Sequence, residues 1–128
     1  MRYLMFMIPA AHGMDATAGL PSVEMIDTMM KYNAQLADAG ILESLNGLHP
    51  PSLGVRLTFG GESPQVGGVD PEGAVGGYWI LNVETHEAAV EWARRCPAQS
   101  GDVLELRRIQ EIEDFPNDVQ DVLGGYDL

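Results

Sequence analysis

The chain has 128 residues, of which 45% are hydrophobic and 20% charged, a size and balance typical of one folded domain rather than a disordered segment. Nineteen acidic residues against seven basic ones give a formal net charge of −12, and such a field repels nucleic acids and anionic membrane surfaces. A single cysteine, Cys96, excludes an internal disulfide and a cysteine-based zinc site.

The first predicted element is a strand over residues 3–8, an apolar run too short for a membrane span. Pro9 follows it in place of a small-residue cleavage motif, which argues against a signal peptide. We therefore expect a cytoplasmic protein with no membrane and no nucleic-acid partner. Residues 12–20, which include His12, are predicted to form a loop.

A helix is predicted to begin after Ser22, which is a plausible N-cap. Apolar residues recur at helical spacing as far as Ala37, and Gly40 is a typical stop signal. The helix carries Tyr32 and Asn33, and Asn33 falls on or near the apolar stripe, where an amide needs a partner.

The middle of the chain predicts one strand between two glycine- and proline-rich turns. Residues 41–52 begin with a short extended piece and continue into a turn that Pro50 and Pro51 keep out of a regular ladder. Residues 54–59 alternate with period two and are predicted as a strand. Residues 60–77 then form a loop, with a brief hairpin arm predicted at Gln65 and Val66.

Three further elements are predicted in the last third of the chain. Residues 77–83 form a strand, Thr85 caps a helix over residues 86–95, and residues 103–109 form the final strand. We expect one domain over residues 1–115, followed by a loosely held acidic tail over residues 116–128.

The order strand, helix, strand, strand, helix, strand is the βαββαβ pattern of a ferredoxin-like α+β sandwich. In that fold a four-stranded antiparallel sheet carries both helices on one face, and the first and third strands lie in its centre. Here both central strands, residues 3–8 and 77–83, are apolar on both sides. We therefore predict a homodimer that packs sheet against sheet as a dimeric α/β-barrel. The alternative is that the loop over residues 60–77 and the acidic tail fold over the second face.

Several short segments, taken in order, resemble the YCII-related (YciI-like) family, in its DGPF-domain branch. They include Ala39-Gly40-Ile41-Leu42, Gly47-Leu48-His49-Pro50, Gly76-Gly77-Tyr78-Trp79 and Arg95-Cys96-Pro97. The resemblance covers nearly all of residues 1–115. It implies a ferredoxin-like protomer, a dimeric α/β-barrel and a cleft near the dimer interface, with a poorly defined biochemical activity.

The chain departs from the family pattern at two places. The Asp-Gly-Pro-Phe tetrad that names the branch is missing, because Pro64-Gln65-Val66-Gly67 stands in its place. The His–Asp pair that the family implies as catalytic is also missing, since no histidine occurs between residues 22 and 39. That pair therefore cannot be transferred to this chain.

His49 is the predicted catalytic residue, as a general acid or base on a stiff turn where a scaffold commonly presents functional side chains. Tyr32, Asn33, Asp70 and Tyr78 are predicted to bind the ligand. A structural role is the alternative for three of these residues: His49 could cap a carbonyl, Asn33 could bond a neighbouring loop, and Tyr78 could pack in the core or interface.

No cofactor or metal is predicted. Three histidines at positions 12, 49 and 86 lack metal-motif spacing, and the glycines are not coupled to a following helix as in a phosphate loop. Cys96 follows Arg94 and Arg95, which would lower its pKa, whereas burial would leave an inert thiol.

Two functions remain open from the sequence. The first is a small-molecule enzyme or ligand-binding protein without metal or organic cofactor, whose apolar cleft lies between the helix carrying Tyr32 and Asn33, the His49 turn and the loop over residues 60–77. The second is a non-catalytic dimeric interaction or regulatory module. The substrate or ligand is not identified by the sequence.

Overall fold

A computed structural model describes residues 1–10 and 22–127 of the chain. The predicted loop over residues 12–20, with His12, lies outside these residues. The described elements are, in chain order, β1 (Arg2–Ile8), α1 (Val23–Asp38), β2 (Leu42–Gly47), β3 (Arg56–Thr58), β4 (Gln65–Gly67), β5 (Gly77–Asn82), α2 (His86–Arg94), β6 (Val103–Arg108) and α3 (Asn117–Gly124).

The α+β architecture is confirmed, with a four-stranded antiparallel sheet in the order β2-β5-β1-β6, consistent with a ferredoxin-like fold. The central positions of β1 and β5 are as predicted. Their register pairs Tyr3 with Leu81 and Met5 with Trp79. These four side chains are buried and belong to one hydrophobic cluster with residues of α1 and α2, so both helices cover the same face.

Helix α1 begins and ends at the predicted signals. The Ser22 hydroxyl accepts a hydrogen bond from the backbone N–H of Met25 at 3.1 Å, as an N-cap does. At the other end, Gly40 adopts a φ of +74°, a left-handed conformation that glycine enters without the penalty of a side chain. The N–H of Ile41 then returns to the carbonyl of Leu36 at 3.2 Å and turns the chain into β2.

The prediction of residues 54–59 as the second strand of the main sheet is wrong. Its place beside β5 is taken by β2, whose pairing shifts register between Leu42 and Ser44. This β-bulge breaks the period-two pattern, so the apolar alternation that indicates a strand is lost in Leu42–Gly47. The alternating segment that did look like a strand forms the separate pair β3–β4 instead.

The hairpin arm predicted at Gln65 and Val66 is confirmed. Strand β4 pairs antiparallel with β3, and Leu57 lies opposite Val66. The two strands form a sheet of their own, apart from the four-stranded sheet.

The C-terminal segment contains a helix that the sequence pattern did not predict. Thr85 caps α2 as expected, with its hydroxyl accepting from the N–H of Ala88 at 3.0 Å. Beyond β6, however, Pro116 precedes the eight-residue helix α3 within the predicted acidic tail. Proline fixes the φ angle at this entry, and Asp118 in the first turn faces the positive end of the helix dipole.

Arg2 links this C-terminal segment to the sheet. Its Nε donates to Glu111 at 2.7 Å, and its Nη1 donates to Glu43 at 3.2 Å. The hydrogen bonds from Arg2 hold the pKa of Glu111 below its usual range. A single base therefore joins the bulge region of β2 to the segment after β6.

The face of the sheet opposite the helices is half-buried in the single chain. Its central side chains alternate with those of the core and comprise Leu4, Phe6, Tyr78 and Ile80. None of these residues reaches the burial of the core side chains Met5 and Leu81, which are fully buried. The second apolar face predicted from the sequence is thus present.

Within residues 1–10 and 22–127, no helix combines the length and the apolar character needed to cross a membrane.

Candidate functional site

His49 lies at a shallow pocket of about 300 Å³, at the end of the sheet where Gly47 pairs with Gly77. The pocket is formed by the turn after β2 and the loop before β5. Its lining is apolar apart from one titratable side chain, that of His49, and comprises Leu48, His49, Pro50, Pro51, Leu53, Gly54, Val69, Ala74 and Val75.

The turn that carries His49 is built by the two prolines that follow it. Pro51 is buried and begins a single 3₁₀ turn, in which the N–H of Leu53 donates to the carbonyl of Pro50 at 3.0 Å. Proline at this place lowers the conformational freedom of the turn. His49 itself is exposed, so it is presented to solvent at the pocket by a stiff segment.

Two close contacts join the His49 turn to the loop before β5. The N–H of Leu48 donates to the carbonyl of Gly76 at 2.9 Å. At Gly54, a Cβ atom would lie 3.0 Å from Cγ2 of Val69 and 3.3 Å from the carbonyl oxygen of Pro51. Glycine at position 54 therefore lets the loop approach the turn closely enough to enclose one side of the pocket. The predicted proximity of the His49 turn and the loop over residues 60–77 is observed.

Asp70 lies in this loop, directly after the pocket residue Val69. Its carboxylate accepts a hydrogen bond from the N–H of Glu72 at 2.9 Å and so shapes a turn. Asp70 is exposed. No hydrogen bond joins Asp70 to His49 in the described part of the chain, so the two side chains do not form a preassembled acid–base pair.

Tyr32 lies in the core between α1 and α2 rather than at the His49 pocket. Its ring is buried and meets the ring of Trp79 edge-on, with centroids 6.2 Å apart. Its hydroxyl donates to the carbonyl of Trp92 at 2.7 Å. Burial raises the pKa of Tyr32 well above its usual value, so the phenol stays protonated and holds the two helices together.

The hydrogen-bond partner of the Asn33 amide is a side chain rather than a loop carbonyl. Its Oδ1 accepts a hydrogen bond of 2.8 Å from the indole N–H of Trp79. Asn33 is 6% exposed, and its Nδ2 lies 3.5 Å from the sulfur of Met30. Both polar ends of the amide are therefore engaged inside the chain.

Tyr78 lies on the other face of the sheet, where its hydroxyl accepts a hydrogen bond from Nδ2 of Asn46 at 2.9 Å. The five sequence-predicted site residues are thus placed in three regions. His49 and Asp70 lie near the pocket, Tyr32 and Asn33 lie in the helix-side core, and Tyr78 lies on the opposite face.

A second cavity, of about 500 Å³, lies beside the first half of α1 and does not include His49. It is bordered by Met25 and Met29 on one side and by Pro97 and Asp102 on the other. Both carboxylate oxygens of Asp102 are occupied, since Oδ1 accepts from the N–H of Ala10 and Oδ2 from the N–H of Gln99. This carboxylate anchors the backbone and is poorly placed to act as a base.

Of the two alternatives for Cys96, the structure supports a buried, unreactive thiol. It is half-buried, and burial, followed in size by the nearby charge of Asp102, raises the pKa of its thiol to about 11. A protonated thiol is a weak nucleophile, so the arginines at positions 94 and 95 do not activate it. Among the described residues, no three His, Cys, Asp or Glu side chains are grouped closely enough to hold a metal ion.

Of the residues that form the pocket, the sequence indicated Pro51 only as part of the stiff turn and gave no indication of Gly54 and Val69. The proline pair was a visible signal for Pro51. The close approach of Gly54 to Val69 left no signal, because it depends on two segments that are fifteen positions apart in the chain.

Two comparisons bear on identity. A family model described as the YCII-related domain matches residues 1–113. A search among curated proteins finds no match.

Proposed function

The chain belongs to the YCII-related family, and from this premise we propose that it binds a small apolar molecule at the His49 pocket, as an enzyme or a binding protein. No metal or organic cofactor takes part in this proposal. The observation that carries this proposal is the composition of the pocket. An apolar lining with one titratable side chain at its edge is the usual chemistry of a small-molecule site. Its volume of about 300 Å³ suits a ligand of one ring.

His49 is the residue we propose for acid–base work at this pocket. It is exposed, and the prolines behind it hold the turn in place, so its imidazole can meet a bound ligand. Asp70, on the adjoining turn, is proposed as a further polar contact for the ligand. The ligand roles of Tyr32, Asn33 and Tyr78 stay predictions. We do not include these residues in the proposed site, because their polar atoms already have partners within the chain.

We propose further that the working form is a homodimer packed through the sheet face of Leu4, Phe6, Tyr78 and Ile80. Apolar side chains on both sides of the two central strands support this proposal, since two helices cover only one side. A dimeric α/β-barrel would place the second copy on the half-buried face. The cytoplasmic location is proposed from the sequence signals alone.

The experiment is a thermal-shift titration with benzoate, phenylacetate and δ-valerolactone as probes, on wild type and His49→Ala. A ligand that binds only the folded state raises the melting temperature, and we expect at least one probe to do so for wild type. His49→Ala should lose that shift and keep the melting temperature of the free protein, because the side chain is exposed.

The matched control is His86→Gln, which keeps a hydrogen-bonding side chain beside the hydroxyl of Tyr3, at the opposite end of the sheet. This variant should retain the probe shift. A shift that survives His49→Ala would show that the probe binds elsewhere. A strongly lowered melting temperature of the free His49→Ala variant, or no response to any probe in wild type, would also contradict the proposal.

The second candidate, a non-catalytic dimeric interaction module, is favoured by one observation. Every residue from position 52 to 68 is exposed, and this stretch contains five large apolar side chains, Leu53, Val55, Leu57, Phe59 and Val66. Exposed apolar surface of this kind marks a contact site for another protein. If wild type forms a stable dimer and its melting temperature responds to none of the probes, this second function is favoured.

A further inference from the structure

The β3–β4 hairpin forms an arm, here defined as residues 55–68. All of its residues are exposed, and its two strands pair only with each other. An isolated two-stranded hairpin is marginally stable in water and usually gains stability by packing on something else. The arm therefore lacks a packing partner among the described residues of its own chain.

The arm is amphipathic. Val55, Leu57 and Phe59 are spaced two residues apart and so share one face, and Val66 joins them there opposite Leu57. Phe59 is 78% exposed and Val66 is 71% exposed. The other face is polar, with Arg56, Thr58 and Gln65.

Arg56 gives the arm an uncommon charge for this chain. It is the only Lys or Arg between positions 32 and 93, in a protein with a net charge of −12. The ion pairs of the described residues involve Arg2, Lys31, Arg95, Arg107 and Arg108 but not Arg56. A two-stranded ribbon is only about 5 Å across. The long side chain of Arg56 can therefore extend past the edge of the ribbon and contact a partner that packs on the apolar face.

Helix α3 presents the complementary surface. Its apolar stripe consists of Val122, which is 61% exposed, and Leu123; Tyr126, which is 68% exposed, follows two residues beyond the end of the helix at Gly124. Asp118 lies one helical turn before Val122 and borders that stripe with a carboxylate. An apolar stripe edged by acid matches an apolar ribbon edged by one base.

We propose that the arm of one copy packs on helix α3 of a second copy, with Arg56 paired to the partner's Asp118, and that the exchange is reciprocal. A reciprocal contact of this kind uses the same two patches on both copies and closes as a dimer. The inference rests on the homodimer proposed above and adds a second contact between its two copies, outside the sheet face.

The first test is sedimentation velocity on wild type and on the double variant Leu57→Ser/Phe59→Ser at micromolar concentration. Wild type should sediment at twice the chain mass of 13.9 kDa, and the double variant should require at least tenfold more protein to dimerise. Thr58→Ser, on the polar face of the same arm, is the control and should dimerise as wild type does.

The outcomes separate the two proposals. A monomeric wild type would overturn both the homodimer and the arm contact. A dimeric wild type with an unchanged double variant would overturn the arm contact and leave the sheet-face dimer standing.

A charge-reversal cycle tests the pairing itself. Arg56→Glu should weaken dimerisation roughly threefold to tenfold, since two symmetric exposed ion pairs are lost. Adding Asp118→Lys to the same chain should restore it. Arg94→Glu, at the other base without an ion pair among the described residues, adds the same charge away from the arm and should change little. No rescue by Asp118→Lys would contradict the assignment of Asp118.

The contact can also be trapped covalently. Phe59→Cys and Val122→Cys proteins, each with Cys96→Ser, are mixed and treated with a short bis-maleimide cross-linker. We expect the cross-link to join one protein of each kind. Cross-linking of Phe59→Cys with itself in preference to the mixed product would instead show arm-to-arm packing and overturn the proposal.

Discussion

At the scale of single residues, the pair of Asn33 and Trp79 shows how one polar atom constrains the interior. The indole N–H of Trp79 points into a buried region and finds its acceptor only in the Asn33 amide, at 2.8 Å. A buried donor without an acceptor destabilises the folded state by its full desolvation free energy, because it has lost its hydrogen bonds to water. Asn33 therefore fixes the side chain of a central strand to helix α1.

We predict that Asn33→Ala lowers the free energy of unfolding by about 1–3 kcal/mol, because it leaves the indole N–H unpaired. Urea denaturation followed by circular dichroism measures this loss. In the background of Trp79→Phe the same substitution should cost clearly less, since the donor is already absent. Equal costs in the two backgrounds would show that the hydrogen bond contributes little.

Cys96 yields a prediction about pH. Its thiol has a pKa raised to about 11 by burial, whereas an ordinary cysteine has a pKa of about 8.5. Alkylation by iodoacetamide in the folded protein should therefore stay slow at pH 8–9 and accelerate as the pH approaches 11. Mass spectrometry of the timed reaction measures the rate, and the urea-unfolded chain provides the reference.

The raised pKa of Cys96 also determines how this residue's contribution to the free energy of unfolding changes with pH. Because the folded state favours the protonated thiol, the contribution of Cys96 is complete below the unfolded pKa and is lost as the pH rises through the folded value. Rapid alkylation of the folded protein at pH 8 would contradict the burial of this side chain.

At the scale of elements, helices α1 and α2 were predictable, whereas the second strand of the sheet and helix α3 were not. Ser22, Thr85 and Gly40 act through their nearest neighbours in the chain, so their signals can be read locally. The bulge in Leu42–Gly47 is a property of pairing with β5, and it removes the alternation by which a strand is recognised. Helix α3 was missed because acidic residues and glycines outweighed its short apolar stripe.

The candidate site also has features that could be predicted from local sequence and features that could not. The exposed His49 and its stiff turn could be inferred from the two prolines that follow. The positions of Tyr32 and Asn33 away from that turn could not, since their partners Trp92 and Trp79 lie 60 and 46 positions further along the chain. Contacts of that separation depend on how the layers stack.

The contact between Gly54 and Val69 supports a prediction about the loop that encloses the pocket. Gly54→Ala would place a Cβ atom 3.0 Å from Cγ2 of Val69 and 3.3 Å from a backbone carbonyl, so the Val69 side chain must shift by a few tenths of an ångström. We expect a loss of stability of about 1 kcal/mol and a weaker probe response at His49.

The control for this change is Gly67→Ala in β4, where a Cβ atom would meet nothing within 4 Å. It should leave stability and probe binding nearly unchanged. Combining Gly54→Ala with Val69→Ala should recover part of the loss, because the crowded methyl is removed. Chemical denaturation and the thermal-shift titration measure both effects, and a neutral Gly54→Ala would contradict the close approach.

At the scale of the whole molecule, the sheet has one face packed against helices and one face only half-buried. We predict that Ile80→Glu, at the centre of the half-buried face, converts the proposed dimer to a monomer, because a carboxylate cannot be buried there without a partner. Light scattering at micromolar concentration measures the mass. Gln35→Glu adds the same charge on the exposed side of α1 and should remain dimeric.

A dimer that persists with Ile80→Glu would place the contact between copies elsewhere on the surface. The arm and helix α3 would then be the surfaces to test alone. A monomeric Ile80→Glu variant with an intact fold would instead support the sheet-face packing.

The scarcity of basic residues has a practical consequence for the arm. Trypsin cleaves after Lys and Arg, so the 62-residue stretch from position 32 to 93 offers it one peptide bond, the one after Arg56. That bond lies on the exposed arm, where proteases act most readily on a native chain. The fragments that end at Arg56 therefore report on this segment, and protection of that bond that increases with protein concentration would reveal when the arm is covered.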